Sequence, residues 1–564
     1  MSQSSLVRSF KKIVGARYVL TSDRATAPYR KGFREGHGPA LAVVKPATLL
    51  QQWHILQACV SAKVIVIMQA ANTGLTGGST PTQGCDRNTV IINTSRLNDI
   101  QVLAEQQQIV AFPGASLFSL EKALAPYDQV PHSVIGSSCI GASIVGGVCN
   151  NSGGALVERG PAYTELALYA QVNSNGSLSL INNLDIELGN TPEQILTNLQ
   201  NKKYRTQDVK TTAKKASDRE YADWVRKTDD DTPARFNADP RRLHQASGCA
   251  GKLAVFAVRV DTFAKNQQEL TFYLGTNSST ALQAVRKTLL EQATSLPVYA
   301  EYLHRDIFEL ADNYGRDTVL LIKHLGTNWL PTFFNIKRQL DSVCQKLPFI
   351  PKNAIDKLVY RFAKLFPSQT PNKLKQWNSQ YQHQLILTVK GEAHQQTLAL
   401  LEHVQKDYQI DFFQCSEQEA KSAYLLRFAA AGAAVQYAKI NHQEVEDILA
   451  LDIALKRNHN EWFEKLPPSI CNKLVGKLYY GHFLCHVFHQ DYLVRKGEDG
   501  KAIKAALLEL LEQRGAQYPA EHNVGHHYDA KPALADNYRN LDPTNSFNAG
   551  IGGMSNKRDF TSRC

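Results

Sequence analysis

The chain has 564 residues and a formal net charge of +11, and this length predicts two to four domains because single cores stop growing at roughly 250–300 residues. Its ten cysteines show no CxxC spacing, which argues against a disulfide framework and against cysteine-held iron–sulfur clusters. The composition, 43% hydrophobic and 20% charged, is typical of a globular protein, and the sequence carries no zinc-finger or RNA-recognition signature that would indicate a nucleic-acid partner.

The N-terminal region begins with a βαβ-like unit. A short β-rich run ends at Pro46, a helix of about a dozen residues follows, and residues 63–68 (KVIVIM) form a second buried strand. Further along, a hairpin is predicted with Asn175–Gly176 at its turn, and the strand 252–263 closes the region. The stretch 196–235 is polar, highly charged and poor in aliphatic residues, so it is predicted to be a surface excursion or a mobile loop.

Two glycine-rich segments in this region are predicted to bind a ligand through their backbone. The first, NTGLTGGST at 72–80, follows a strand, and its glycines permit positive φ and expose N–H groups that bind anions. Its spacing matches neither a nicotinamide Rossmann fingerprint nor a P-loop. The second, GSSCIGASIVGGVCNNSGG at 136–154, has too many small residues to build a core alone and suits a large flat ligand. A structural helix or loop of small residues under a sheet is the alternative.

A basic and aromatic segment occupies residues 333–377. From Lys337 to Lys375 there are nine Lys or Arg against two Asp. Within it, residues 354–366 (AIDKLVYRFAKLF) place apolar side chains at near-helical spacing opposite the basic ones. Such a segment favours an anchor at an anionic membrane surface. From the pattern alone, an amphipathic helix packed on the protein's own core remains the alternative.

Histidines are dense in two places near the C-terminus. The members of these clusters are His482, His486 and His489, and then Glu521, His522, His526 and His527. On a helix the first three would share one face, whereas on a strand His489 would point away from the other two. Clustered histidines favour proton transfer or metal binding near neutral pH, and satisfied core or surface histidines are the alternative.

The order of several motifs resembles a known flavoprotein family. AVVKP, QAANTGLTGGS, FPGASL, the 136–154 segment and SGCAGKLAVFAVRV occur in the order seen in vanillyl-alcohol-oxidase/PCMH-type FAD-binding domains, over about residues 38–262. The remainder, including TPARFNADP, RFAAAGAA, VEDILALDIAL, YYGHF and QRGAQYPAEHNVGH, is similar to the bacterial quinone-dependent D-lactate dehydrogenases.

This resemblance implies an α+β fold. A PCMH-type FAD-binding domain is expected at 1–263, and a mixed α/β cap domain that supplies substrate residues at 264–519. A basic membrane-binding segment is inserted in the cap at about 304–380, and the C-terminal segment 520–564 completes the FAD domain and the active site.

The resemblance also implies FAD as the cofactor. The expected contacts are Ala70, Ala71, Asn72, Thr73, Gly74, Gly78, Ser79, Gly136, Ser143, Gly153 and Val255. Some relatives attach FAD covalently through a histidine in the first glycine-rich loop. This loop has Leu75 and no histidine, so we expect non-covalent FAD.

Two-electron oxidation of a hydroxy acid needs a base, a cation for the carboxylate, and the Cα–H facing flavin N5 to deliver hydride. The resemblance implies His522 as the base and Arg427 as a bidentate carboxylate clamp. In the wider family two histidines seven residues apart and a glutamate hold a divalent metal. His482, His489 and Glu521 match these positions, and such ligands would suit zinc, although FLCHVF replaces the family's intervening Gly-Asp-Gly-Asn pattern.

The expected function is therefore FAD-dependent oxidation of D-lactate to pyruvate, with electrons passed to membrane quinone. The same chemistry on another D-2-hydroxy acid, such as D-2-hydroxyglutarate, is the enzymatic alternative, and a non-catalytic basic membrane-binding protein is the alternative of another class. No signal peptide and no run of ~18 apolar residues is present. We expect a peripheral protein on the cytoplasmic face of the bacterial inner membrane, and the sequence leaves its oligomeric state open.

Overall fold

The computed structural model describes residues 2–103, 107–133, 141–326 and 353–561, and between 326 and 353 the single positions 329, 332, 333, 336, 337, 340 and 344. Gly136 and much of the basic segment before residue 353 lie outside the described residues. In the part of the chain that is described, no helix combines the length and the apolar character needed to cross a bilayer.

The described strands are β1 (Val19–Leu20), β2 (Ala42–Val44), β3 (Ile65–Gln69), β4 (Thr89–Asn93), β5 (Ile100–Val102), β6 (Gln108–Ala111), β7 (Gln129–Val130), β8 (Ala167–Val172), β9 (Leu178–Asn182), β10 (Ala254–Asp261), β11 (Phe263–Ala264), β12 (Glu269–Thr276), β13 (Tyr299–His304), β14 (His383–Lys390), β15 (Asp411–Gln414), β16 (Val445–Ala454), β17 (Leu474–His482) and β18 (Val487–Arg495).

The described α-helices are Gln3–Val14, Asp23–Arg30, Leu49–Ser61, Leu117–Leu124, Ile144–Cys149, Pro192–Gln200, Tyr221–Val225, Ser279–Gln292, Arg305–Tyr314, Arg316–Leu325, Ala354–Lys364, Asn372–Gln380, His394–Asp407, Glu417–Ile440, Pro468–Cys471, Gly500–Gln513 and Pro532–Leu541.

Two sheets share one core in the N-terminal half. A four-stranded sheet has the order β1-β2-β4-β3, with β2, β4 and β3 parallel, and a five-stranded antiparallel sheet has the order β5-β6-β10-β8-β9. Helix Leu49–Ser61 joins β2 to β3, which confirms the βαβ-like start. Its Trp53 packs in the same core as Phe256 of the second sheet, with ring centroids 6.5 Å apart. The hairpin with Asn175–Gly176 at its turn is confirmed as β8 and β9.

The second half is built on a seven-stranded antiparallel sheet with the order β15-β12-β14-β13-β17-β18-β16. Successive side chains alternate between its faces. Phe272 packs under helices Ser279–Gln292 and His394–Asp407, while its neighbour Tyr273 packs under helices Arg305–Tyr314 and Glu417–Ile440. The sheet is therefore covered by helices on both sides.

The C-terminal segment returns to the first half of the molecule. Val66 of β3 donates to Ser546 O at 2.9 Å, and Asn548 N donates back to Val66 O at 3.0 Å. The buried Lys252 ammonium donates to Asn545 Oδ1 at 2.6 Å and to Phe547 O at 2.8 Å. These contacts join the tail to the sheet that carries the first glycine-rich loop.

The prediction of a surface excursion or mobile loop at 196–235 agrees with residues 201–215, none of which is buried, and is wrong for residues 216–235. This stretch contains the short helix Tyr221–Val225, and Tyr221, Val225 and Arg235 are buried. The stretch is poor in aliphatic residues because a phenol ring and a long guanidinium side chain fill the interior instead, and Arg235 finds a buried carboxylate partner in Glu521.

Helix Ala354–Lys364 is docked through its polar and small side chains. The buried Asp356 pairs with Lys337 at 2.6 Å and Lys439 at 3.4 Å, and Ala363 is also buried. Leu358, Phe362 and Leu365 are instead 65%, 60% and 79% exposed. The alternative of an amphipathic helix that packs its apolar face on the protein's own core is therefore wrong.

Candidate active site

A cavity of about 710 Å³ lies where the glycine-rich loops meet the cap sheet. This volume falls in the range of small-molecule and cofactor sites, roughly 300–1,000 Å³. All described residues predicted to contact FAD line it, namely Ala70, Ala71, Asn72, Thr73, Gly74, Gly78, Ser79, Ser143, Gly153 and Val255. The remaining one, Gly136, lies outside the described residues.

The first glycine-rich loop is held open toward the cavity by side-chain hydrogen bonds. Gln69 Nε2 donates to Ser79 O at 2.8 Å, and Ser79 Oγ donates to Asn72 Oδ1 at 2.9 Å. Asn72 has a φ of 55°, a left-handed conformation that asparagine tolerates better than most residues. A Cβ added at Gly74 would meet nothing within 4 Å. The loop therefore forms a cradle whose backbone can contact a flat, phosphate-bearing ligand such as FAD.

Two glycines allow the segment 521–523 to lie directly against the cofactor loops. A Cβ at Gly78 would lie 2.0 Å from Asn523 Nδ2, and a Cβ at Gly153 would lie 2.3 Å from Glu521 Oε1. Gly154 N donates to the same carboxylate oxygen at 3.1 Å. Any larger residue at these two positions would separate the glycine-rich loops from the segment 521–523.

His482 and His489 lie on two different strands, so neither the single-helix nor the single-strand arrangement considered for them is correct. His482 ends β17, a turn follows, and His489 lies on the antiparallel β18 opposite Tyr480. Their imidazoles converge on Glu521, with His482 Nε2 at 3.1 Å and His489 Nε2 at 3.8 Å from Oε2. One ligand atom from each of the three residues lies within 4.8 Å of the others.

Each of these imidazoles faces a second carboxylate through its other nitrogen. His482 Nδ1 donates to Glu301 Oε1 at 2.5 Å, and His489 Nδ1 faces Asp452 Oδ1 at 3.4 Å. Metal-binding histidines usually have this arrangement, because the outer carboxylate fixes the tautomer and the ring orientation. The residues present therefore fit a divalent cation.

The surrounding charges shift the pKa values of this cluster strongly. Burial alone would lower the pKa of His482, but Glu301 and Glu521 raise it to about 9. Burial alone would raise the pKa of Glu521, but His482 and Arg235 hold it well below its usual value. Glu521 is thus an anion at neutral pH, and a cation in the cluster would take the place of the His482 proton.

The two residues predicted to be catalytic also line the cavity. Arg427 forms an ion pair through Nε with Glu301 Oε2 at 2.8 Å and lies over the Tyr480 ring, 4.7 Å from its centroid. His522 Nε2 lies 3.8 Å from Asp452 Oδ2. The cavity therefore contains a guanidinium and an imidazole, each with a carboxylate beside it.

The other clustered histidines lie elsewhere. The ring of His486 contacts Gln283 Oε1 and Lys456 O. His526 contacts Thr76 and Thr80 through their backbone, and His527 pairs with Glu35 at 2.6 Å. Chain proximity to the site is therefore not sufficient to place a histidine in it.

Sequence reasoning missed Glu301, Asp452 and Arg235. Glu301 and Asp452 are the single carboxylates of the mostly buried runs YAEYLH and LALDIA. A lone carboxylate in an apolar strand is a usable signal, because burying such a charge requires a partner. Arg235 gave no comparable signal, since it lies in an irregular charged stretch.

Two family models match the chain. The model described as "D-lactate dehydrogenase, membrane binding" matches residues 271–560, and the "FAD binding domain" model matches residues 40–178. A quinone-dependent D-lactate dehydrogenase of Escherichia coli strain K12 is 52% identical, over 99% of this chain and 98% of that protein. One from Haemophilus influenzae is 51% identical, over 99% of both chains.

The fold has relatives among solved structures. A crystal structure of p-cresol methylhydroxylase with substrate bound superposes with a TM-score of 0.58 at 12% sequence identity, over 98% of this chain and 97% of that one. Together with the FAD binding domain model at residues 40–178, this similarity confirms the predicted α+β fold with a PCMH-type FAD-binding domain and a mixed cap.

Proposed function

The chain belongs to the family of quinone-dependent D-lactate dehydrogenases, and from this premise we propose specific roles for the residues of its cavity. The protein is an FAD-dependent oxidoreductase that oxidises D-lactate and reduces quinone. This function excludes a non-catalytic membrane-binding protein and favours D-lactate over D-2-hydroxyglutarate as the substrate. The observation that carries the residue assignments is that a single cavity joins the FAD loops to Arg427, His522 and the His482–His489–Glu521 cluster.

Arg427 binds the substrate carboxylate. Its Nε is engaged by Glu301, so the two Nη groups are assigned to D-lactate as a bidentate pair. Fixing the carboxylate at two points orients the C2–H bond and the C2 hydroxyl group, which contributes to catalysis through positioning.

His522 accepts the proton of the C2 hydroxyl group. Asp452, 3.8 Å away, stabilises the imidazolium that results, and removal of this proton accompanies loss of the C2 hydrogen so that pyruvate forms. FAD, when bound non-covalently in the 70–79 cradle, supplies the two-electron acceptor for this oxidation.

His482, His489 and Glu521 are assigned to a divalent metal ion. Two imidazoles and a carboxylate with an open remaining position are typical of catalytic zinc. Such an ion would act as a Lewis acid for a substrate oxygen. The three protein ligands and their outer carboxylates support this assignment.

The protein associates with the membrane through its membrane-binding region, and we place it peripherally on the cytoplasmic face of the inner membrane. The exposed apolar side chains of helix Ala354–Lys364, flanked by Lys357, Arg361 and Lys364, support interfacial binding. Anionic lipids of the cytoplasmic leaflet attract such basic side chains by about 1 kcal/mol each.

Anaerobic mixing tests the function directly. The purified holoenzyme is mixed with D-lactate, L-lactate or D-2-hydroxyglutarate, and the loss of flavin absorbance is followed. D-Lactate should bleach the flavin fastest. If D-lactate fails to bleach it, or if D-2-hydroxyglutarate bleaches it faster, the assigned substrate is wrong.

A further inference from the structure

The cavity extends beyond the residues that serve the substrate and the FAD loops. At one side it is lined by Thr318, from helix Arg316–Leu325, and by Phe428, Ala431 and Gly432, from helix Glu417–Ile440. Phe428 is 37% exposed, and Ala431 and Gly432 are also exposed. These four residues, called the rim below, therefore belong to both the cavity and the protein surface.

The two rim helices also hold the exposed apolar helix Ala354–Lys364. Arg316 donates to Phe366 O at 3.1 Å, just beyond the end of that helix. At the other end, Asn353 Nδ2 donates to Lys439 O at 2.8 Å. Tyr314 stacks on Tyr360 with ring centroids 4.9 Å apart. The rim therefore lies next to helix Ala354–Lys364, whose exposed apolar side chains are proposed to contact the bilayer.

The chemistry of the rim fits a flat apolar ring that carries hydrogen-bond acceptors. Phe428 offers an aromatic side chain, and the neighbouring alanine and glycine leave space beside it. A Cβ added at Gly432 would meet nothing within 4 Å. Thr318 supplies a hydroxyl group whose present hydrogen bond, to Asp317 Oδ1, is long at 3.4 Å and can be exchanged for one to a carbonyl oxygen. Ligand sites commonly combine a mostly apolar lining with a few placed polar groups of this kind.

We propose that the rim is the binding site for the quinone headgroup, which reaches the cavity from the bilayer alongside helix Ala354–Lys364. The inference rests on the proposed function, because it requires a quinone acceptor and a membrane-facing helix. At this site the quinone would accept the two electrons and two protons that D-lactate loses on becoming pyruvate, and it would leave as the quinol, which restores the oxidised enzyme. D-Lactate is oxidised deeper in the cavity, beside Arg427 and His522.

The test fills the rim without touching the substrate residues. Gly432→Phe places a bulky side chain in open, exposed space, and replacing a mid-helix glycine favours the helix. Gln418→Phe is the matched control, because Gln418 is exposed on the same helix and does not line the cavity. Ala431→Phe provides a second blocking variant should Gly432→Phe lose its flavin.

Two measurements are made on each holoenzyme. Calorimetry gives the dissociation constant of a water-soluble short-chain ubiquinone analogue, and anaerobic stopped-flow separates flavin bleaching by D-lactate from reoxidation by the same quinone. We expect a blocking variant to bind quinone at least about tenfold more weakly than the control, a loss of about 1.4 kcal/mol. Its reoxidation by quinone should slow by a similar factor, whereas its rate of flavin bleaching by D-lactate should stay close to that of the control.

Unchanged quinone binding and reoxidation in the blocking variants would overturn the proposal. Equal slowing of both half-reactions would also overturn it, because the rim would then be a general route into the cavity. Failure of D-lactate to bleach the wild-type flavin would instead contradict the proposed function, so the two failures are distinguishable.

Discussion

A single carboxylate, Glu301, contacts both His482 and Arg427, the side chains proposed to bind the metal ion and the substrate carboxylate. One oxygen accepts from His482 Nδ1 at 2.5 Å, and the other pairs with Arg427 Nε at 2.8 Å. Burial alone would raise the pKa of Glu301, but His482 and Arg427 lower it, so the carboxylate is charged at neutral pH. Glu301 is a positioning residue, because it acts on the substrate through its two partners.

Glu301→Gln should raise KM for D-lactate more than it lowers kcat. The amide keeps the shape of the side chain but loses the charge that holds Arg427, so we expect KM to rise about tenfold, equivalent to about 1.4 kcal/mol of substrate binding. Steady-state kinetics with a soluble dye acceptor measure both constants. Glu446→Gln, which alters an exposed ion pair with Lys496, is the control. A fall in kcat with an unchanged KM would contradict the positioning role.

His522→Gln tests the assigned base. Glutamine preserves size and polarity but cannot take the hydroxyl proton, so flavin bleaching by D-lactate should slow by about 10² or more, with substrate binding largely retained. Anaerobic stopped-flow gives the rate. His526→Gln is a matched control, since His526 contacts backbone oxygens instead of the cavity. Equal effects of the two substitutions would show that His522 is not the base.

His489→Ala tests the metal cluster. Removing one of the three ligands should lower the bound zinc from about one ion per chain to a small fraction, because tetrahedral sites depend on every protein ligand. Elemental analysis of dialysed holoenzyme measures the metal, and His403→Ala, an exposed histidine on helix His394–Asp407, is the control. Wild-type protein that contains no divalent metal and remains fully active after chelation would refute the assignment.

At the scale of elements, helix Ala354–Lys364 and the adjacent Leu365 can bind a membrane in two ways, by inserting apolar side chains and by attracting anionic lipids. Leu358, Phe362 and Leu365 are exposed and can enter the interface, whereas Lys357, Arg361 and Lys364 can attract anionic headgroups. Hydrophobic insertion is insensitive to salt, while attraction between exposed charges is screened.

The triple change Leu358→Gln, Phe362→Gln and Leu365→Gln should abolish the salt-resistant part of liposome binding, since each apolar side chain contributes about 1.5–3 kcal/mol when fully buried. Changing the three basic residues to Gln should remove only the salt-sensitive part. Co-sedimentation with anionic vesicles at low and high salt measures both. Reduction of a soluble dye by D-lactate should persist in each variant, and its loss would indicate a folding role for the helix.

The C-terminal tail depends on Lys252. Burial lowers the pKa of this ammonium to about 8, although Asp542 opposes the shift. The unfolded chain therefore binds more protons than the native one between about pH 8 and its ordinary pKa of 10.5, so Lys252 adds stability as pH rises through that window.

Lys252→Met should destabilise the protein by about 2–3 kcal/mol at neutral pH, because Asn545 Oδ1 and Phe547 O lose a charged donor. The rise in stability above about pH 8 should also be smaller in the variant than in the wild type. Urea unfolding, followed by flavin release at two pH values, measures both effects. An identical pH dependence in the two proteins would contradict the role given to Lys252.

At the scale of the whole molecule, the sequence predicts those features that depend on residues close together in the chain. The glycine-rich loops, the βαβ-like start and the β8–β9 hairpin each depend on residues close together in the chain. The family resemblance implies the pairing of His482 with His489, but it does not show the hairpin that brings the two together. Glu301, Asp452 and Arg235 could not be assigned, because their roles arise from contacts such as the Arg235–Glu521 pair, which join distant parts of the chain.

The tail that lies along β3 sets the order of events during synthesis. Val66 emerges early from the ribosome, yet its hydrogen-bond partners Ser546 and Asn548 are translated long after it. Glu521, which approaches Gly153 across the cofactor cradle, is also late. Domains generally fold in N-terminal to C-terminal order during translation, but here β3 pairs with a segment that is synthesised long after it. We therefore expect FAD to be retained only once residues 521–548 have been translated, so nascent chains that stall before them should not become partly active enzymes.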